Sequence, residues 1–294
     1  MTAQLSELLG RVDGLELVAR RNVTSLRSGA YRSAVVGRGL EFFEASKYVQ
    51  GESVRQIDWK MTARRDEPWV RRFVEERERE IFLAVDVSPS MYAGWQHRTK
   101  LETAVELAAT LAVSAVEAHD RLGLICFSDR VHNMLRPQLG RANLYRSLSL
   151  LVRHIERGPE ACAVSDPRTA IHAIEAHRGR RLIVFLISDF IDLDVPTDVR
   201  YLRRRHDVTL LRVCDPLEQP SADSPVRLPA RSPEGNDERR WLKLKQMSGQ
   251  AAMHRSLEQM ATAFGITLAS VSTRDKVAPF LRRLFLGKQQ WMRR

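Results

Sequence analysis

From residue 81 onward the chain alternates short apolar runs with stretches in which apolar residues recur every three or four positions. The runs at 81–87 (IFLAVDV), 121–128 (RLGLICFS), 131–135, 181–188 (RLIVFLIS), 208–214 (VTLLRVC) and 266–272 (ITLASVS) predict strands. The second and third lie too close for a crossover helix and predict a hairpin that puts one antiparallel strand at a sheet edge. Residues 99–119 carry Leu101, Ala104, Val105, Ala108, Leu111, Ala112 and Ala115, a helical stripe that buries one face against the sheet. Further helices are expected at 141–156, 169–178, 195–206, 250–264 and 275–286. This alternation is the signature of a doubly wound, mostly parallel α/β sheet with helices on both faces. The stretch 216–248 reads as a long excursion, rich in Pro, Ser and charge up to residue 240. Residues 1–79 lack helical periodicity between Gly37 and Phe73, where glycines punctuate aromatic and charged residues. They are read as a β-rich segment of short strands and turns beside a main domain spanning 80–294.

Composition narrows the class. A chain of 294 residues with 44% hydrophobic content can bury a full core. No run approaches the roughly 18–20 apolar residues that cross a bilayer, and the first twenty residues lack a signal-peptide layout, so a cytoplasmic protein is expected. Cys126, Cys162 and Cys214 are odd in number and widely spaced, and read as reduced, buried thiols. The net charge of +11 is compatible with nucleic acid, a peripheral membrane contact or an acidic protein partner. The basic residues are dispersed and interleaved with acids, as in 71–80 (RRFVEERERE), and no nucleic-acid-binding motif accompanies them. No specific nucleic acid is expected.

Candidate chemistry concentrates where strands end. Asp86, Ser88 and Ser90 follow the first run at alternate positions, and Asp189 ends the fourth. In an open α/β sheet ligands gather at the carboxyl ends of the strands, where the winding reverses, and these two strands would flank that crevice. Thr169, behind Pro167 at a helix start, adds a third hydroxyl, with Ser165 and Asp166 as neighbouring alternatives. Hard oxygens with few charges suit Mg²⁺, with Mn²⁺ or Ca²⁺ as substitutes. Helix capping by Asp86 and the serines is the competing, purely structural reading. Catalytic readings lack their partners: there is no G-x-S-x-G elbow, no P-loop, no H-E-x-x-H helix and no second acid two residues after Asp86. The set Asp86, Ser88, Ser90, Thr169, Asp189 resembles the metal-ion-dependent adhesion site of von Willebrand factor A domains.

A second resemblance lies upstream. Gly37, Gly39, Glu41, Phe42, then Tyr48, Gly51, Glu52, Arg55, Ile57, Asp58, Trp59, then Ala63 and Arg64 are similar to a block of the bacterial family DUF58. In that family the block directly precedes a von Willebrand factor A-like domain. Asp215-Pro216-Leu217-Glu218 resembles its later D-P-x-E element. The resemblance implies a non-enzymatic adaptor or co-chaperone for a MoxR-type AAA+ ATPase, acting in assembly, maturation or stress tolerance. Its metal would meet an acidic residue of the ATPase or of a client protein. Within the block, Ile57 and Trp59 alternate as buried strand residues would, and Arg55 and Asp58 suit an ion pair. A metal-dependent phosphoesterase or a basic nucleic-acid-binding protein is the alternative.

Overall fold

A computed structural model describes residues 2–26, 44–48, 57, 59–65, 67–72, 78–94, 98–159, 165–177, 179–191, 197–216, 227–230, 240–243 and 249–292. Its centre is a six-stranded sheet built from β3 (Glu80–Asp86), β4 (Arg121–Phe127), β5 (Val131–Gln138), β6 (Leu182–Ser188), β7 (Asp207–Cys214) and β10 (Thr267–Ser272). The spatial order is β10-β7-β6-β3-β4-β5, parallel throughout except for β5, which runs antiparallel beside β4. This is the von Willebrand factor A-like arrangement anticipated above, with its antiparallel edge. The order reverses between β3 and β6, which pair directly from Glu80 opposite Leu182 to Val85 opposite Ile187.

Side-chain alternation splits the core in two. Ile81, Leu83 and Val85 of β3, with Phe185 and Ile187 of β6, face one side. That side is covered by α1 (Thr2–Leu26), α3 (Lys100–Glu117), α4 (Arg141–Arg157) and α8 (Val277–Met292). Phe82, Ala84, Leu182, Val184 and Leu186 face the other, under α5 (Pro167–Glu175), α6 (Thr197–Arg205) and α7 (Gly249–Ala263). Gly123 in the middle of β4 is required by this packing, because a Cβ there would lie 2.7 Å from the Phe82 ring. α3 starts with a capping box in which Thr99 accepts from the Glu102 amide and Glu102 accepts from the Thr99 amide.

The N-terminal segment departs from the expected strands and turns. Residues 2–26 form a helix whose buried positions Val12, Glu16, Ala19 and Val23 follow a four-three-four spacing. Val12, Ala19 and Val23 join the core of the sheet's first face, so α1 shares that core. Glu16 accepts from Arg20 at 2.9 Å and from Arg141 of α4 at 3.0 Å, while Asn22 donates to Glu106 and Thr110 of α3. Gly10 and Gly14 depress helix propensity there, and tertiary packing overrides it. The β component is a two-stranded antiparallel pair, β1 (Glu44–Lys47) with β2 (Trp69–Arg72). Between them α2 (Trp59–Arg65) replaces the expected strand: Trp59 opens that helix and is 66% exposed, and Ile57 is half-buried. Gly37, Gly39, Glu41, Phe42, Gly51, Glu52, Arg55, Asp58 and Cys162 lie outside the described residues.

Within the 216–248 excursion, β8 (Arg227–Ala230) and β9 (Arg240–Lys243) pair antiparallel. Cys126 and Cys214 are buried free thiols, and burial pushes the Cys126 thiol up to about 12. Among the described residues, no helix is long and apolar enough to cross a membrane.

Candidate functional site

The strand parity that divides the core also aims the site's side chains. Asp86 has the parity of Phe82 and Ala84 on β3, and Ser188 has that of Val184 and Leu186 on β6. Both therefore point to the same face of the sheet, and they meet across the β3–β6 pairing.

Asp86 is fully buried, and both of its carboxylate oxygens are engaged. Oδ1 accepts from the Ser88 amide at 2.8 Å, and Oδ2 accepts from the hydroxyls of Ser165 and Ser188, each at 2.6 Å. Burial, and then the neighbouring charge of Asp189, push its pKa up to about 6, against the lowering effect of the Ser165, Ser188 and Ser88 hydrogen bonds. Ser88 leads into a short 3-10 turn, Pro89–Tyr92, but makes no side-chain cap; its Oγ lies 3.1 Å from that of Ser90. The Asp86 Oδ1 bond is an Asx-turn to the amide two residues on rather than a helix cap, and the two serine hydroxyls face each other.

Asp189 follows Ser188 and so takes the opposite parity, toward the face where α3 begins. There Lys100 Nζ donates to Asp189 Oδ2 at 2.7 Å, with the two side chains 1% and 0% exposed. Asp189 Oδ1 accepts from the Ile191 amide, and its carbonyl accepts from Arg212 Nε at 3.3 Å. Phe190 is held at φ 51, with its amide on Ser188 Oγ at 3.0 Å, a conformation uncommon for a bulky residue.

Of the five expected residues, Asp86, Ser88 and Ser90 meet at the end of β3, while Asp189, whose side chain turns to Lys100, reaches them only through the charge that raises the Asp86 pKa. Thr169 does not join them through its hydroxyl, which donates to the Asp166 carbonyl at 2.9 Å in the first turn of α5. Ser165 supplies the hydroxyl on Asp86 instead, and Asp166 caps α5 by accepting from the Arg168 amide. Ser188, Lys100 and Arg212 were not anticipated. The signal for Lys100 was available, since a lysine in the first turn of a helix opposes the helix dipole.

The donor set can be set against what a divalent ion needs. Hard oxygens are present, but Asp189 is paired with an ammonium and both oxygens of Asp86 are engaged by protein donors. As arranged, the residues do not fit a resident divalent cation. Ser128 Oγ lies 2.9 Å from Asp129 Oδ1 and 2.6 Å from His132 Nε2.

The profile of the family described as "Protein of unknown function DUF58" matches residues 44–239. The chain belongs to the DUF58 family. It is 30% identical over 207 residues to Uncharacterized protein Rv1480 of Mycobacterium tuberculosis (strain ATCC 25618 / H37Rv), covering 69% of this DUF58 chain and 64% of that relative. The chain thus spans somewhat under two thirds of that relative's length. Among solved structures it is similar to the conserved hypothetical protein BatB from Bacteroides thetaiotaomicron, with a TM-score of 0.48, 18% identity, and coverage of 72% of this chain and 99% of that one. It is also similar to a von Willebrand factor type A protein from Catenulispora acidiphila, with a TM-score of 0.41, 12% identity, and coverage of 74% and 43%.

Proposed function

We propose that this DUF58 chain is a non-enzymatic protein-interaction module, an adaptor or co-chaperone for a MoxR-type AAA+ ATPase in assembly, maturation or stress tolerance. The observation that carries the reading is that Asp86, Ser88 and Ser90 end β3 beside Ser188 and Asp189 at the end of β6, the switch point where open α/β sheets place their ligands. An acidic residue of the ATPase or of a client is the group this rim would recognise, through the serine hydroxyls.

Co-precipitation of the full chain with a MoxR-type ATPase tests the reading. Wild type captures the ATPase, and Asp86→Ala or Ser88→Ala loses it. Equal capture by wild type and both variants, or release of phosphate from a phosphoester by the purified chain, would overturn it.

A further inference from the structure

We infer that Lys100 is the resident cation of this site, so that the rim works without a divalent metal. Three observations point the same way. First, Lys100 Nζ sits 2.7 Å from Asp189 Oδ2, and neither side chain is more than 1% exposed. A lysine that gives up its hydration so completely needs an anionic partner, and Asp189 is placed by strand parity to be one.

Second, Lys100 is the first residue of α3, directly after the Thr99 cap. The positive end of a helix dipole disfavours a cation, and the first turn is where acidic residues are favoured. Glu102 of the same turn is used by the capping box on Thr99. An ammonium buried against the dipole is explained by the carboxylate it meets. Third, Arg212 donates to the Asp189 carbonyl from the neighbouring strand β7, so a second fixed positive group already borders the site. Adding a divalent ion to two carboxylates, an ammonium and a guanidinium would leave an excess of positive charge in a buried cluster.

The inference concerns the site of the proposed function, and rests on that reading only for its consequence that partner capture is indifferent to EDTA. Its own test is metal binding. The full chain is stripped with EDTA, and its thermal unfolding is followed while Mg²⁺, Mn²⁺ or Ca²⁺ is titrated in, for wild type, Lys100→Met and Lys100→Arg. Wild type and Lys100→Arg are expected to keep an unmoved midpoint. Lys100→Met leaves Asp189 without its ammonium; its midpoint falls, and divalent ion raises it saturably, by about 5 °C at a hundredfold excess over Kd.

A saturable rise of the wild-type or Lys100→Arg midpoint overturns the inference, as does a folded Lys100→Met that ignores all three ions. Where Lys100→Met does not fold, wild type and Lys100→Arg decide the matter. Loss of ATPase capture in Asp86→Ala together with a metal-responsive wild type would sink this inference and leave the proposed function standing. Unmoved wild-type midpoints with no capture at all would do the reverse.

Discussion

Asp86→Asn isolates what a buried charge does to this fold. Burial and the Asp189 charge hold the Asp86 carboxyl at about 6, against an ordinary 3.8. At about 1.4 kcal/mol per pH unit, that difference corresponds to about 3 kcal/mol. The folded-state pKa lies above the unfolded one, so the native state binds the proton more tightly. The ionised carboxylate therefore penalises folding above pH about 6, and the penalty fades as pH falls from about 6 to about 4.

Asparagine keeps the shape and one acceptor, and its amide can donate to the Ser165 and Ser188 hydroxyls once these reverse their role. Asp86→Asn is expected to be more stable than wild type at pH about 8, by about 1–3 kcal/mol once imperfect hydrogen bonding is allowed for. The advantage shrinks below pH about 6 and is absent near pH about 4. Urea unfolding across that range, compared at matched m-values, reads it directly. An advantage of the same size at every pH, or a less stable variant at pH about 8, refutes the reasoning. A stabilised variant that has lost partner capture would place Asp86 among residues kept for function at a cost in stability.

Packing elsewhere sets the sign of three more substitutions. Asp189→Ala takes the carboxylate away from the buried Lys100 ammonium and is expected to lose about 3–5 kcal/mol in urea unfolding, most of which the double change Lys100→Met with Asp189→Leu recovers. Gly123→Ala sets a Cβ 2.7 Å from the Phe82 ring and 3.1 Å from the Leu135 carbonyl, costing about 1–3 kcal/mol, and a double-mutant cycle with Phe82→Leu shows coupling above about 0.5 kcal/mol. Gly14→Ala meets nothing within 4 Å on the exposed side of α1 and raises stability by about 0.5–1 kcal/mol, read as a higher thermal midpoint.

The sheet was legible because its strands are apolar runs bounded by turns, and all six end within three residues of their expected positions. The α1 helix was legible in its Val12, Ala19, Val23 spacing, but Gly10 and Gly14 argue against a helix locally, and the partners that override them are on α3, α4 and α8, distant in sequence. Trp59 was misplaced for a different reason. The alternation of Ile57 with Trp59 spans too few residues to separate a strand from a helix start, and the indole ends up exposed. At the site, residue type found the oxygens of Asp86, Ser88, Ser90 and Asp189. It did not find their hydrogen-bond partners, since Thr169 and Ser165 are equivalent in chemistry and only the entry of α5 decides which one reaches Asp86.

Lys100 was within reach of a topological argument. The chain leaves β3 through α3 to β4 on one side, and leaves β6 through α6 to β7 on the other. Both crossovers are parallel connections, which are right-handed almost without exception, so winding in opposite directions puts α3 and α6 on opposite faces of the sheet. Alternation along β6 then separates the two residues at its end. Ser188 shares a face with α6, and Asp189 turns to the face of α3. The first turn of α3 sits above the switch point, so the side chain at its first position meets Asp189. An acid there would repel it, an apolar residue would leave its charge buried and unmatched, and a lysine neutralises it. On the inference drawn above, position 100 is the feature that keeps Asp189 from a metal ion.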